Sequence, residues 1–317
     1  MKTRVQVPKL EAVRAAAVRI APYVRRTPLL PGAGITYKAE FEQVTGSFKP
    51  RGAFNAALQL DDAARSRGLV AVSGGNHGLA VAHVGRRLGI RATVLMPKTT
   101  PAWLVERAQA DGAEVLLFDT IALAFAEMQS RTAAGQTPLH PFDDEHVMAG
   151  QGTIGLELLE QIPDLHTLVV SIGGGGLIAG IASVIKTLAP HVRVYGVETV
   201  GADAMRKALD AGHPVQLPAI TSIARTLGAP IVSDATLAAV QTLVDGVVSL
   251  PDAEAVRSLV QLRDTLGVTV EPAASCCHAA LRLGLIPAAP SGTTAVLLCG
   301  ANVDREEIEG WRRTFGV

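Results

Sequence analysis

The sequence predicts an α/β fold in which mostly parallel sheets carry helices on both faces. Short apolar segments alternate with longer segments that have apolar residues at helical spacing, the order that parallel sheets with crossover helices require. Aromatic residues make up only 4% of the chain, so we expect a core of Ala, Val, Leu and Ile, as in parallel sheets buried on both faces. Loops rich in Gly, Asn and Ser follow the predicted strands, where such sheets bind ligands.

The first part of the chain contains one regular series of helices and strands. Apolar residues recur at helical spacing over 9–21, and the alternating segment 35–40 predicts a short strand. The series continues with predicted strands at 69–72, 91–96 and 113–118 and predicted helices at 76–88, 100–110 and 121–134.

The second part of the chain repeats this alternation. Strands are predicted at 167–172, 192–197 and 294–298, and helices at 153–161, 177–188, 202–211, 252–266, 273–284 and from Arg305 onward. Residues 212–250 receive no assignment, because Pro214, Pro218 and Pro230 interrupt the periodic patterns there.

Composition excludes several classes of protein. Lys and Arg total 29 and Asp and Glu total 29, so no basic face for nucleic acid is indicated. No apolar run reaches the roughly 18 residues of a membrane span, and the N-terminus lacks the apolar core of a signal peptide. Three cysteines, two of them adjacent, form no disulfide framework. These features predict a cytoplasmic protein without nucleic-acid or membrane partners.

Lys49 occupies an unusual place, between Phe48 and Pro50 at the predicted start of a helix. Proline suits the first turn because its missing N–H would have had no partner there, and Ser47 is the predicted N-cap. The positive end of the helix dipole favours the neutral, nucleophilic form of an amine. When Lys49 is considered by itself, the alternative interpretation is an ordinary exposed lysine at a capped helix start.

Two glycine-containing loops each lie between a predicted strand and a predicted helix. Residues 173–176 are four glycines, whose N–H groups can converge on a phosphate, but the spacing fits neither a dinucleotide motif nor a P-loop. The loop 73–78 offers Ser73, Asn76 and His77 as donors to a second anion. The alternative for 173–176 is a tight strand–helix turn that needs small residues, and the alternative for 73–78 is a helix cap. Two anion sites and an amine together indicate a phosphorylated cofactor, a carboxylate substrate and a Schiff base.

The motifs occur in a fixed order along the chain: TGSFKPRGA, SGGNHGLAVA, PFDD, GQGTIGLE, GGGGLIAG, GVETVGA, VEPA and LLCGANVD. In this order they resemble the pyridoxal-phosphate (PLP) enzymes of fold type II, and most closely the serine/threonine dehydratases, from Thr27 to Asp304. The resemblance implies two domains, each an open, twisted, mostly parallel sheet flanked by helices, with PLP in the cleft between them. A large PLP-binding domain would comprise 1–44 and 138–317, and a small domain with the substrate-carboxylate loop would comprise 45–137.

The resemblance also implies roles for individual residues. Lys49 matches the family's Schiff-base lysine, which removes the Cα proton of the substrate. The implied cofactor contacts are Phe48, Lys49, Asn76, Gly173, Gly174, Gly175, Gly176, Leu177 and Cys299. The implied contacts to the substrate carboxylate are Ser73, Gly75, Asn76 and His77. Cys299 would lie beside the pyridine nitrogen. A thiol does not keep that nitrogen protonated as an aspartate would, and this favours rapid loss of a β-leaving group.

The implied activity is that of an ammonia-lyase. Water is removed from a β-hydroxy amino acid such as L-threonine or L-serine, and hydrolysis of the resulting imine releases a 2-oxo acid and ammonia. Relatives are usually homodimers, so a homodimer is expected. A cation site is implied at Glu198, Ala202 and Leu227; because Ala204 stands where relatives have a ligating side chain, K⁺ is favoured over Mg²⁺ or Ca²⁺. An ordinary ion-paired acid is the alternative for Glu198.

Four other activities remain as alternatives. A racemase needs an acid opposite Lys49, which related racemases supply as a serine at the position of Gly74, and glycine cannot donate a proton. The same glycine is expected to leave room for a bulkier substrate such as phenylserine. A β-replacement enzyme would have a different asparagine loop, and a non-catalytic PLP-binding protein would not need the carboxylate loop.

Overall fold

The computed structural model describes residues 5–289 and 291–317, which form two sheets with flanking helices. The strands are β1 (Leu29–Pro31), β2 (Thr36–Lys38), β3 (Leu69–Val72), β4 (Ala92–Pro97), β5 (Glu114–Phe118), β6 (Thr137–Pro138), β7 (Leu165–Ser171), β8 (Arg193–Thr199), β9 (Gly246–Leu250) and β10 (Thr293–Leu297). The helices are α1 (Leu10–Ile20), α2 (Lys49–Ala57), α3 (Asp62–Arg67), α4 (Asn76–Leu88), α5 (Ala102–Ala110), α6 (Ile121–Ala133), α7 (Glu145–Gln161), α8 (Gly176–Leu188), α9 (Ala204–Ala211), α10 (Asp234–Leu243), α11 (Asp252–Leu266), α12 (Pro272–Arg282) and α13 (Arg305–Phe315).

Parallel pairing dominates both sheets. The larger sheet has the order β1-β2-β10-β7-β8-β9, and its edge strand β1 pairs antiparallel with β2. The smaller sheet has the order β5-β4-β3-β6 and is parallel in each pairing. The predicted α/β fold with two mostly parallel sheets is therefore confirmed. Within the described ranges, no helix is long and apolar enough to cross a membrane.

Three of the differences from the elements predicted from sequence affect the organisation of the two sheets and their helices. The unassigned stretch 212–250 contains α10 and β9, because its prolines all precede Ser233, where a capping box starts the helix. Helix α7 begins at Glu145, two turns before the predicted start at 153. Strand β6 pairs with β3, so Pro138, which the sequence assigned to the large domain, belongs to the smaller sheet.

Helix α7 forms in spite of three glycines that lower its intrinsic helix propensity by about 1 kcal/mol each. A Cβ on Gly150 would lie 2.6 Å from the Cα of Gly52 in α2, and one on Gly152 would lie 2.8 Å from the carbonyl oxygen of Gly180 in α8. The glycines therefore let both neighbouring helices approach α7 closely. Burial of the packed helix faces offsets the low propensity, which is why local sequence underestimated the helix.

A buried ionic network connects α2 to α7 and to the segment after β2. Arg51 donates from Nε and Nη2 to the two carboxylate oxygens of Glu40 over 2.9 and 2.8 Å, and from Nη1 to Glu157 over 2.7 Å. Lys38 donates to the other oxygen of Glu157 over 2.6 Å. Arg51 and Glu40 are at most 1% exposed. Every charge is thus paired, which is the condition for burying ions.

Removing one member of this network should destabilise the fold. In Arg51→Met the Glu40 carboxylate stays buried without its partner, so we expect a loss of about 3–5 kcal/mol in the free energy of unfolding. Denaturant unfolding measures the loss. Arg26→Met, which removes the exposed ion pair with Glu160, is the control and should cost less than about 1 kcal/mol. Equal losses in the two variants would contradict this account.

Candidate active site

All the residues predicted to contact a cofactor line one cavity at the carboxyl ends of β7 and β10. These residues are Phe48, Lys49, Asn76, Gly173, Gly174, Gly175, Gly176, Leu177 and Cys299. Most of them come from loops of the larger sheet, whereas Asn76 begins α4 of the smaller sheet. The cavity is therefore lined from both sheets, at the edge where parallel sheets bind ligands.

Lys49 is the first residue of α2, and its amine lies inside the cavity. Its Nζ donates to the carbonyl oxygen of Pro141 over 2.9 Å and lies 5.1 Å from the centre of the Phe48 ring. Burial lowers the pKa of Lys49 to about 8, so the neutral amine is accessible near physiological pH. The predicted N-cap is wrong: Phe48 occupies that position without a side-chain cap, and the Ser47 hydroxyl is buried without a hydrogen-bond partner among the described residues.

The glycine loop gives the cavity a wall of backbone at the start of α8. Gly175 has φ +91°, a conformation that side chains disfavour, and α8 begins at Gly176 without a side-chain cap. A Cβ on Gly174 would collide with the ring of Phe142, and one on Gly176 would lie 2.8 Å from the Cα of Phe142. The first N–H groups of α8 have no partner within the helix, so they can bind an anion.

Glu271 lies in the same cavity and has no role in the sequence prediction. Asn76 donates to its Oε1 over 2.6 Å and accepts from Nδ2 of Asn302 over 2.5 Å, so both ends of the Asn76 amide are oriented. Burial raises the pKa of Glu271 to about 7, although the hydrogen bonds from Asn76 and Thr226 oppose that rise. The only signal in the sequence was an acid immediately before Pro272 in the VEPA motif.

Of the four residues predicted to contact the substrate carboxylate, Asn76 lines this cavity, and the other three lie beside it in the chain. Ser73 Oγ accepts from the N–H of Gly75 over 3.2 Å. The His77 ring bonds through Nε2 to the carbonyl oxygen of Leu139 over 2.9 Å, and burial lowers its pKa to about 3. A neutral ring facing a carbonyl must carry its proton on Nε2. The imidazole is thereby engaged, and the backbone N–H of His77 is what remains as a candidate donor.

The room expected beside Gly74 is occupied. A Cβ on Gly74 would collide with Oγ1 of Thr100 and lie 3.2 Å from Cδ of Pro97. Thr100 therefore fills the position that a side chain at 74 would occupy, and the bulkier substrate stays a prediction. A hydroxyl does lie next to position 74, and it belongs to Thr100 in the loop after β4.

Cys299 lines the side of the cavity where strands β7 and β10 end. Ser171 donates to its sulfur over 3.4 Å, and burial raises the pKa of the Cys299 thiol well above its usual value. The sulfur is therefore a neutral thiol. The backbone carbonyl of Cys299 accepts a hydrogen bond from the N–H of Phe48 over 3.1 Å, and this bond fixes the start of α2 against the end of β10.

The one carboxylate among the residues implied for a cation already has backbone partners. Both carboxylate oxygens of Glu198 accept backbone N–H groups at the start of α9, from Met205 over 2.9 Å and Arg206 over 2.7 Å. Burial raises the pKa of Glu198 to about 8. Leu227 lines the cofactor cavity against Gly173, and Ala202 forms a turn with Thr199. No group of three His, Cys, Asp or Glu side chains suits a metal in the described part of the chain. The cation stays a prediction.

Comparisons with known proteins identify close relatives. A family profile described as "Pyridoxal-phosphate dependent enzyme" matches residues 20–300. The chain is 38% identical to phenylserine dehydratase of Ralstonia pickettii, over 94% of each chain, and 38% identical to L-threonine ammonia-lyase of Geobacter sulfurreducens, over 93% of this chain and 76% of that one. The structure of maize serine racemase superimposes with a TM-score of 0.91 at 33% identity, covering 98% of each chain.

The burial of Glu271 predicts a pH-dependent stability difference. The pKa of Glu271 is about 7 in the folded protein and about 4.3 in an unfolded chain. The protonated side chain therefore contributes its full stability below about pH 4.3, and this contribution is lost as the pH rises through about 7. Glu271→Gln keeps an acceptor for Asn76 and removes this loss. The free energy of unfolding of Glu271→Gln, relative to that of wild type, should therefore rise by about 2–3 kcal/mol from about pH 5 to about pH 8.

Urea unfolding of the two apoproteins at both pH values measures this change. Glu160→Gln, at an exposed position, is the control and should change stability by less than about 0.5 kcal/mol. A Glu271→Gln difference that is the same at both pH values would contradict the raised pKa.

Proposed function

The chain belongs to the family of pyridoxal-phosphate dependent enzymes, and we propose that it removes water from a β-hydroxy amino acid such as L-threonine or L-serine. Hydrolysis of the resulting imine then releases a 2-oxo acid and ammonia. The observation that carries this proposal is the cavity in which a buried amine faces a glycine-lined helix start. Relatives named phenylserine dehydratase and L-threonine ammonia-lyase support this class of reaction.

The residues of the cavity fit the cofactor. The uncapped start of α8, with its φ +91° glycine, suits the phosphate, and side chains at Gly174 or Gly176 would collide with Phe142. The Lys49 amine suits the aldehyde, and its lowered pKa favours the nucleophilic form. Asn76 suits the phenolic oxygen, and the neutral thiol of Cys299 suits an unprotonated ring nitrogen. When bound, PLP supplies an electron sink for the negative charge that develops at Cα.

Within this site we assign the proton transfer at Cα to Lys49. A buried amine with a pKa of about 8 can exist in both protonation states near neutral pH, as a general base requires. The carbonyl of Pro141 and the ring of Phe48 hold the amine in place. Because the Cys299 thiol does not add a positive charge at the ring, loss of the β-hydroxyl competes well with return of the proton.

We assign the substrate carboxylate to the loop 73–77. Helix α4 begins at Asn76 without a side-chain cap, so its first N–H groups, including that of His77, are available donors. The hydroxyl of Ser73 already contacts the N–H of Gly75 and can stabilise the loop. The imidazole of His77 takes no direct part, since it bonds to Leu139.

The relatives leave two other reactions to be tested. One relative is named phenylserine dehydratase, but the space near Gly74 that would have favoured so bulky a substrate is filled by Thr100. A structural relative is named serine racemase, and the Thr100 hydroxyl removes the argument that position 74 offers no proton donor. Assays for both products are therefore part of the test. The homodimer, the cytoplasmic location, the bound cation and the boundaries of the two domains remain proposals.

Replacing Lys49 tests the assignment. Wild-type enzyme loaded with PLP should show a visible absorption band and convert L-threonine, L-serine or L-phenylserine to 2-oxo acid. Lys49→Ala should lose the band and at least about 10³-fold of the rate, because the activated nucleophile and the general base are the same group. Lys98→Ala, at a lysine 60% exposed, is the matched control and should retain both.

Chiral analysis of the remaining substrate separates elimination from racemisation in the same assay. A wild-type protein that gains no visible band with PLP, or a Lys49→Ala variant with full turnover, would contradict the proposed function.

A further inference from the structure

One hydroxyl lies against the loop 73–77 without belonging to it. Thr100 follows Pro97, the last residue of β4, and its N–H donates to the carbonyl of Pro97 over 2.9 Å. Because β3 and β4 are neighbouring parallel strands, the loops at their carboxyl ends meet at one edge of the sheet. The contact is close: a Cβ on Gly74 would collide with Thr100 Oγ1 and lie 3.4 Å from Thr100 Cβ.

This hydroxyl has no partner within the described part of the chain. Oγ1 of Thr100 is buried and makes no hydrogen bond to the described residues. Nor does it cap the next helix: α5 begins after Pro101 and has no side-chain cap. An unpaired buried hydroxyl is unfavourable, and buried polar groups in native proteins are rarely left so. Valine has the same shape and would avoid the loss, and the free hydroxyl is available to a ligand.

We propose that Thr100 is a substrate-binding residue whose hydroxyl donates a hydrogen bond to the carboxylate of the bound amino acid. The proposal rests on the proposed function, which assigns that carboxylate to the loop 73–77. Thr100 reaches the loop at Gly74, which lies between Ser73 and the uncapped start of α4. A glycine at 74 is then required, since any side chain there would displace the hydroxyl.

The test compares Thr100→Val with two controls in the PLP-loaded enzyme. Thr100→Ser keeps the hydroxyl, and Thr99→Val makes the same change at an exposed residue of the same loop. Binding of glycine, which has no β-leaving group, is followed by the change in the cofactor's absorption. The KM and kcat for L-threonine and the thermal midpoint of unfolding are measured on the same samples.

Loss of a hydrogen bond to a charged group should raise the Kd for glycine and the KM for L-threonine about tenfold or more in Thr100→Val. Its cofactor band should be unchanged, and its thermal midpoint should be unchanged or higher, because an unpaired buried hydroxyl has been removed. Thr100→Ser and Thr99→Val should bind glycine as wild type does.

Two results would overturn the proposal. One is a Thr100→Val enzyme that binds glycine as tightly as wild type. The other is a Thr100→Val enzyme that loses the cofactor band or unfolds at a lower temperature while Thr100→Ser does not, which would make the hydroxyl structural. If glycine binding depends on Thr100 but wild type consumes none of the three β-hydroxy amino acids, the role of Thr100 stands and the proposed activity fails.

Discussion

The site depends on the burial of a single amine. A lysine in water has a pKa near 10.4 and is almost fully protonated at neutral pH, so it can neither attack an aldehyde nor accept a proton. In the cavity, burial lowers the pKa of Lys49 to about 8, while the carbonyl of Pro141 keeps the amine oriented at 2.9 Å. The other features of the site either maintain this burial or make use of the reactive amine.

The position of Lys49 is maintained by the framework around α2. Arg51, two residues along the helix, is held by Glu40 and Glu157, and a Cβ on Gly52 would lie 2.8 Å from the carbonyl oxygen of Val147 in α7. At the helix start, the N–H of Phe48 bonds to the carbonyl of Cys299 beyond β10. Ion pairing, close helix packing and a backbone hydrogen bond therefore locate one amine relative to the larger sheet.

Sequence could predict the parts of the site that are contiguous in the chain. Lys49 next to Pro50, and the four glycines between a strand and a helix, carry their chemistry in adjacent residues. Contacts between distant segments were not predictable in this way. Glu271 meets Asn76 across 195 residues, and the direction of the His77 ring is set by Leu139 across 62. The space at Gly74 is likewise decided by Thr100, which no local pattern connects to it.

The most direct test of the central claim is to locate the cofactor chemically. Borohydride reduction of the PLP-loaded enzyme, followed by digestion and mass spectrometry, identifies the lysine that carries the cofactor. The account predicts a single pyridoxyl-labelled peptide that contains Lys49, because among the cavity-lining residues this is the buried amine beside the glycine loop. A label on any other lysine, or an enzyme that retains no label although its visible band is present, would contradict it.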